Sequence, residues 1–154
     1  SEHLDLLLGN APPALSQRIV ADTLQGKLLQ VCRNLLAEGV GLRDFEAICE
    51  ALILGGSADQ CTERARRALR ASICRDLADE KRSISVYRMG PGADLQAVKA
   101  AVEWMHKKGK GPVLCTSEAA RLRLWRLAAK DFPHVRVLSE SERAPGFHFV
   151  PNNP

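Results

Sequence analysis

The sequence predicts an α+β fold: an N-terminal helical subdomain followed by a small α/β subdomain with a short, mostly parallel sheet. Two observations carry this. Up to about residue 77 the apolar residues recur every three or four positions, and no stretch alternates convincingly. From residue 83 onward, short β-branched runs (SISVYRM, PVLCT, VRVLS) are separated by amphipathic stretches. Strands that alternate with helices imply parallel pairing through crossover connections.

In the first half, residues 3–8 (HLDLLL) are expected to form a turn or two of helix before GNAPP interrupts them. A short helix is expected over 13–20, started by Pro12 and Pro13. Asp22 or Thr23 then caps a longer helix to residue 38, with Leu24, Leu28, Val31 and Leu35 at helical spacing. Gly39 is the expected left-handed C-terminal cap. The period restarts over 42–53, where Leu42, Phe45, Ile48, Cys49 and Leu52 share one face. Gly55 and Gly56 stop that helix. Ser57 caps a long third one, with Cys61, Ala65, Leu69, Ile73 and Leu77 along a stripe and its arginines turned to solvent.

The second half is read as a strand over 83–89, a Gly90-Pro91-Gly92 turn and a helix capped by Asp94. A strand over 112–116, a helix capped by Ser117, and strands over 135–139 and 147–150 follow. The charged stretch 78–82 is the expected joint, giving domains 1–80 and 81–154.

Composition narrows the function classes. The chain has 154 residues, 45% of them apolar and 26% charged, which are ordinary globular values. Its apolar runs are only a few residues long, so no transmembrane span is expected, and no signal-peptide pattern is present. The first residue is not Met, which points to a fragment or a processed chain. Five cysteines without a C-x-x-C pair argue against a disulfide framework or zinc knuckle, and favour free buried thiols in a reducing compartment. Lys plus Arg exceed Asp plus Glu by 22 to 18, and the basic stretches at 64–70 and 107–110 read as solvated surface.

No active site is expected. Gly90-Pro91-Gly92 lacks the G-x-G-x-x-G fingerprint, and Pro91 removes an amide that a phosphate cradle needs. KKGKGP, 107–112, follows a helix and does not precede one, so it is no P-loop. Ser117 sits at a strand-to-helix turn without the glycines of a nucleophile elbow, and reads as a helix cap. The four histidines have no metal-site spacing, so neither a metal nor a cofactor is expected. Two other classes stay open: a small α/β enzyme with an unseen site, and a helix-turn-helix DNA-binding regulator using helices 24–38 and 42–53. Against the second, Asp44, Glu46 and Glu50 would repel phosphates.

A resemblance favours a third class. LLAEGVGLRDFEAICEAL, residues 35–52, resembles a stretch of the cytoplasmic region of the export-gate family of flagellar and virulence type III secretion systems. The matching residues are Leu35-Leu36, Glu38-Gly39-Val40, Leu42-Arg43-Asp44 and Ile48-Cys49-Glu50-Ala51-Leu52. PVLCTSEAARLRLWRL and FPHVRVLSESERAP are similar to the last subdomain of that family. Gly41 departs from the usual Ser or Pro, and Leu42 from Ile.

The resemblance implies the third and fourth subdomains of a large inner-membrane protein whose cytoplasmic part forms a ring, usually of nine. It implies a scaffold that is not an enzyme and that receives an export stalk protein and possible chaperone or gatekeeper components, without nucleic acid. The secretion system, flagellar or virulence, is left open. Candidate subunit or partner contacts are Arg43 and Asp44 at the corner between the two helices, Glu46 and Glu50 on the polar face, and Arg121 and Trp125. For Arg43 an ion pair to Glu38 or Asp44 within the chain is the competing expectation.

Overall fold

The computed structural model describes the backbone of residues 14–154 and side chains from residue 21. The expected helical turns at 3–8 lie outside the described residues. The described chain forms helices α1 (Ala14–Ala37), α2 (Phe45–Ile53), α3 (Ala58–Ala68) and α4 (Arg70–Leu77) before the first strand. It continues as β1 (Ser83–Arg88), α5 (Leu95–Lys107), β2 (Val113–Thr116), α6 (Arg121–Ala129), β3 (Arg136–Ser139), a 3-10 turn (Glu140–Glu142) and β4 (His148–Pro151). Two compact units divide at Leu69 and Arg70. Helix α4 therefore belongs with the strands, whereas the sequence places the joint at 78–82.

In the first unit α1, α2 and α3 pack on one another. Leu28, Val31, Leu35, Ile48, Cys49, Leu52, Cys61 and Ala65 form the buried face, each large aliphatic side chain worth about 1.5–3 kcal/mol. Helix α1 runs unbroken from Ala14, so neither Asp22 nor Thr23 caps a separate helix. Its end follows the expected chemistry. Gly39 has φ of 73°, its amide reaches Leu36 O at 2.9 Å, and the Val40 amide reaches Leu35 O at 2.9 Å. This double bond across a left-handed residue satisfies two orphan carbonyls, and buried Val40 supplies the apolar contact that usually accompanies it. Asp44 then caps α2 by accepting from the Ala47 amide at 3.1 Å, so the helix begins at Phe45, later than the apolar spacing indicates.

The single long helix expected after Ser57 is two helices. Leu69 departs from helical geometry with ψ near 8°. The apolar stripe thus splits, with Cys61 and Ala65 buried in α3 and Ile73 and Cys74 in α4.

In the second unit all strand pairs are parallel, in the order β3-β2-β1-β4. Tyr87, Leu114 and Val137 stand in register across three strands and meet Val98 and Ala101 of α5 and Leu124 and Ala128 of α6. Beyond β4 the ladder is continued by a side chain. Asn153 Oδ1 accepts from the Arg88 amide at 2.9 Å, and Nδ2 donates to the Arg88 carbonyl at 3.0 Å. Helix α6 starts at Arg121 because residues 117–120 first form a turn. There Ser117 Oγ accepts from the Ala120 amide at 3.3 Å.

Ser57 and Gln60 form a reciprocal cap on α3, with bonds of 3.1 and 2.9 Å. Ser57→Ala is expected to lower stability by about 1 kcal/mol, read as a shift of the urea midpoint at unchanged m-value. Gly56→Ala is expected to cost more, because Gly56 has φ of 97° and an added Cβ would stand 2.5 Å from Gln60 Oε1.

Candidate partner-binding surfaces

The arginines of α3 correct the expectation of a solvated face. Arg66 is buried and pairs with Glu38 at 3.4 Å, with side chains 2% and 3% exposed. Arg64 donates to the carbonyls of Ala51 and Gly55, holding the end of α2. Because Glu38 is paired with Arg66, the expected Arg43–Glu38 pair is not formed. Arg43 is exposed and makes no ion pair with another described residue. Asp44, Glu46 and Glu50 are also exposed, so the corner and the polar face of α2 offer one cation followed by three acids to solvent. Acids along the helix that would have to enter a DNA groove remove the helix-turn-helix reading.

The same unit exposes large apolar side chains that the sequence reading passed over. Leu29 is 52% and Leu36 57% exposed, seven residues apart and hence on one side of α1. Ile53 and Leu54, at the end of α2, are 60% and 75% exposed. The signal was present in the sequence: Leu28-Leu29 and Leu35-Leu36 are doubled at a seven-residue interval, and one member of each pair must leave the core side.

In the second unit Arg121 is fully buried and reaches no surface. Its guanidinium donates to the Val137 carbonyl at 3.0 Å and stands 3.9 Å from Glu142. Glu142 also accepts from the Ser139 amide at 3.1 Å. The Arg136 amide bonds Pro112 O, just before β2, so by alternation Val137 and Ser139 turn their backbones outward. The pair therefore closes the outer edge of β3. Trp125 is half-buried against the apolar core of this unit, and its enclosed indole N–H meets no acceptor among the described residues. Arg121 thus lies in the interior of one unit and Trp125 half-buried against its core, while the α2 residues lie on the surface of the other.

The Gly90-Pro91-Gly92 loop is filled by the chain itself. Arg123 donates to the carbonyls of Pro91 and Ala93, so a cation occupies the loop where a phosphate cradle would need amides. Cys115 lies 3.7 Å from Glu140, which pairs with Arg88. Burial and then the Glu140 charge push its thiol up to about 12. Such a thiol is a poor nucleophile.

Comparisons with known proteins agree with this architecture. The Shigella flexneri MxiA protein structure superposes with a TM-score of 0.75 at 18% identity, over 98% of this chain and 58% of that one. The nonameric EPEC SctV-C structure gives 0.63 at 18% identity, over 97% and 53%. These likenesses establish the fold. Among curated sequences, the flagellar biosynthesis protein FlhA of Proteus mirabilis is 29% identical over 162 aligned positions, covering 88% of this chain and 23% of that protein. The chain thus spans about a quarter of the length of this relative. The model of the FHIPEP family matches residues 2–96, and the chain belongs to that family, the export components of flagellar and type III secretion systems. No helix among the described residues is long and apolar enough to cross a membrane.

Glu142→Ala strands Arg121 in the interior and is expected to cost about 3–5 kcal/mol, measured by denaturant unfolding. The Cys115 thiol contributes stability that is fully present below its unfolded pKa, near the ordinary 9.0, and lost as pH rises toward 12. Stability of the parent chain should therefore fall more steeply between those limits than that of Cys115→Ala, measured by urea titration at stepped pH.

Proposed function

We propose that this chain is the cytoplasmic, ring-forming part of a type III protein export gate, a scaffold for substrate delivery and not an enzyme. Membership of the FHIPEP family carries the reading. In this proposal the first unit supplies contacts between copies, and an export stalk protein and chaperones dock on the assembled ring at the cytoplasmic face of the inner membrane. The nonameric state of the SctV-C relative supports a ring of nine.

The exposed residues of the first unit suit a heterologous contact, in which one patch meets a different patch on the next copy. Leu29 and Leu36 provide an apolar stripe, Ile53 and Leu54 a second apolar site, and Arg43 beside Glu46 and Glu50 provides charges for register. Each contact is weak alone. Closure of a ring and tethering to a membrane raise the effective concentration, so the isolated chain is compatible with a monomer at dilution.

Leu29→Glu with Leu36→Glu, and separately Arg43→Ala, should leave the melting of the isolated chain within about 0.5 kcal/mol of the parent. In the full-length protein they should reduce both cross-linking between copies and secretion. Unchanged cross-linking and secretion in the double variant would overturn the assignment of the first unit as the ring contact.

A further inference from the structure

The sheet has two outer edges, and they are treated differently. The β3 edge is closed by Arg121 on the Val137 carbonyl and Glu142 on the Ser139 amide. Among the described residues the β4 edge has no such cover. The His148 amide bonds Arg82 O at 2.9 Å, and the Asn152 amide bonds Val86 O at 2.7 Å. Residues 148, 150 and 152 therefore turn their backbone groups to β1, and Phe149 and Pro151 turn theirs away.

The groups on that outward row can be followed in order. The Phe147 amide bonds Ala144 O at 3.1 Å, and its carbonyl accepts from Arg143 at 3.2 Å, so that position is occupied. The Phe149 amide and carbonyl have no partner among the described residues. Pro151 contributes a carbonyl and no donor. Proline at an outward position is a common way to shorten a sticky edge. What remains is a short free edge with one donor, at Phe149, and acceptors at Phe149 and Pro151.

The side chains around it select the visitor. Val150 is 45% exposed on the face that carries Ser85 and Tyr87, and Trp104 of α5 reaches the same end of β4 by donating to Asn152 O at 2.7 Å. Cations stand at both ends of this edge. Lys108 stands 4.6 Å from the centre of the Trp104 ring, and Arg82 lies 5.6 Å from that of Phe147. Arg143 sits at the Phe147 carbonyl, and His148 is exposed. Of the acids in the adjoining turn, Glu80 faces solvent, while Asp79 is held by the amides of Lys81 and Ser83 at 2.9 and 3.0 Å.

We infer that the β4 edge docks an extended, acidic segment of another protein as a fifth strand. Main-chain bonds to Phe149 and Pro151 supply the pairing, alternate apolar residues of the segment rest by Val150 and Trp104, and its carboxylates meet Lys108, Arg82 and Arg143. A second copy is the wrong occupant, since two β4 edges brought together would oppose these cations to their own equivalents. So few backbone bonds make this a transient contact.

The test is an amide-resolved NMR titration of the 154-residue chain with a capped six-residue peptide of alternating Glu and Val. Shifts are expected at the Phe149 and Val150 amides and the Trp104 indole, with slower hydrogen exchange at the Phe149 amide. Binding should weaken at least tenfold in Val150→Glu and in Lys108→Glu, each with unchanged melting. It should vanish for the fully N-methylated peptide and for alternating Lys and Val. No shift at millimolar peptide, or equal binding of the N-methylated peptide, would overturn strand addition. Concentration-dependent shifts at Phe149 without peptide would overturn the choice of occupant in favour of a second copy.

Discussion

An arginine side chain taken out of water must recover, from fixed partners, the hydrogen bonds and the counter-charge it loses. Each compact unit of this protein is closed around one such group. In the helical unit Arg66 of α3 meets Glu38, the residue that ends α1, so the pair joins the first and third helices beside the Gly39 corner. In the sheet unit Arg121 of α6 meets Glu142 after β3, and the two together satisfy a carbonyl and an amide that no strand reaches. Apolar packing would tolerate small shifts of these helices. A buried ion pair with backbone partners does not, because displacement leaves charge unpaired in a poor solvent.

That constraint sets what is available for recognition. With Glu38 engaged inside, Arg43 is left at the surface. With β3 sealed, the open sheet edge is β4. The exposed leucines of α1 follow from the same economy: one face of the helix is used by the core, and doubled leucines place a second apolar row outside it. The contact between copies proposed above falls on that row.

Most elements were legible because their signals are local. The stripe through Leu28, Val31 and Leu35, the Gly39 cap, the Asp94 cap and the β-branched strands each lie within a few residues of what they determine. The fold class was readable for the same reason, and the family resemblance rested on contiguous residues. The buried arginines were not legible, since an arginine in an amphipathic helix reads as surface and its partner is remote in sequence. A trace was there nonetheless. Arg121 shares its face with Leu124 and Ala128, and Arg66 shares one with Thr62 and Leu69, all buried. A charged residue on the apolar stripe asks for a partner, and Glu142 and Glu38 are the answers. The split at Leu69 had no sequence signal, since the apolar period runs through it.

Asn153 gives the sheet a further property. Its amide imitates a peptide unit opposite Arg88, offering one acceptor and one donor where a longer β4 would have offered backbone. Conversion to aspartate would replace the donor by a second anionic oxygen facing a carbonyl. The usual route to that damage is attack on the side-chain amide by the next backbone nitrogen. Here the next residue is Pro154, whose nitrogen carries no hydrogen to lose. The side chain that stands in for a longer β4 is thereby shielded from slow chemical ageing by its neighbour in sequence.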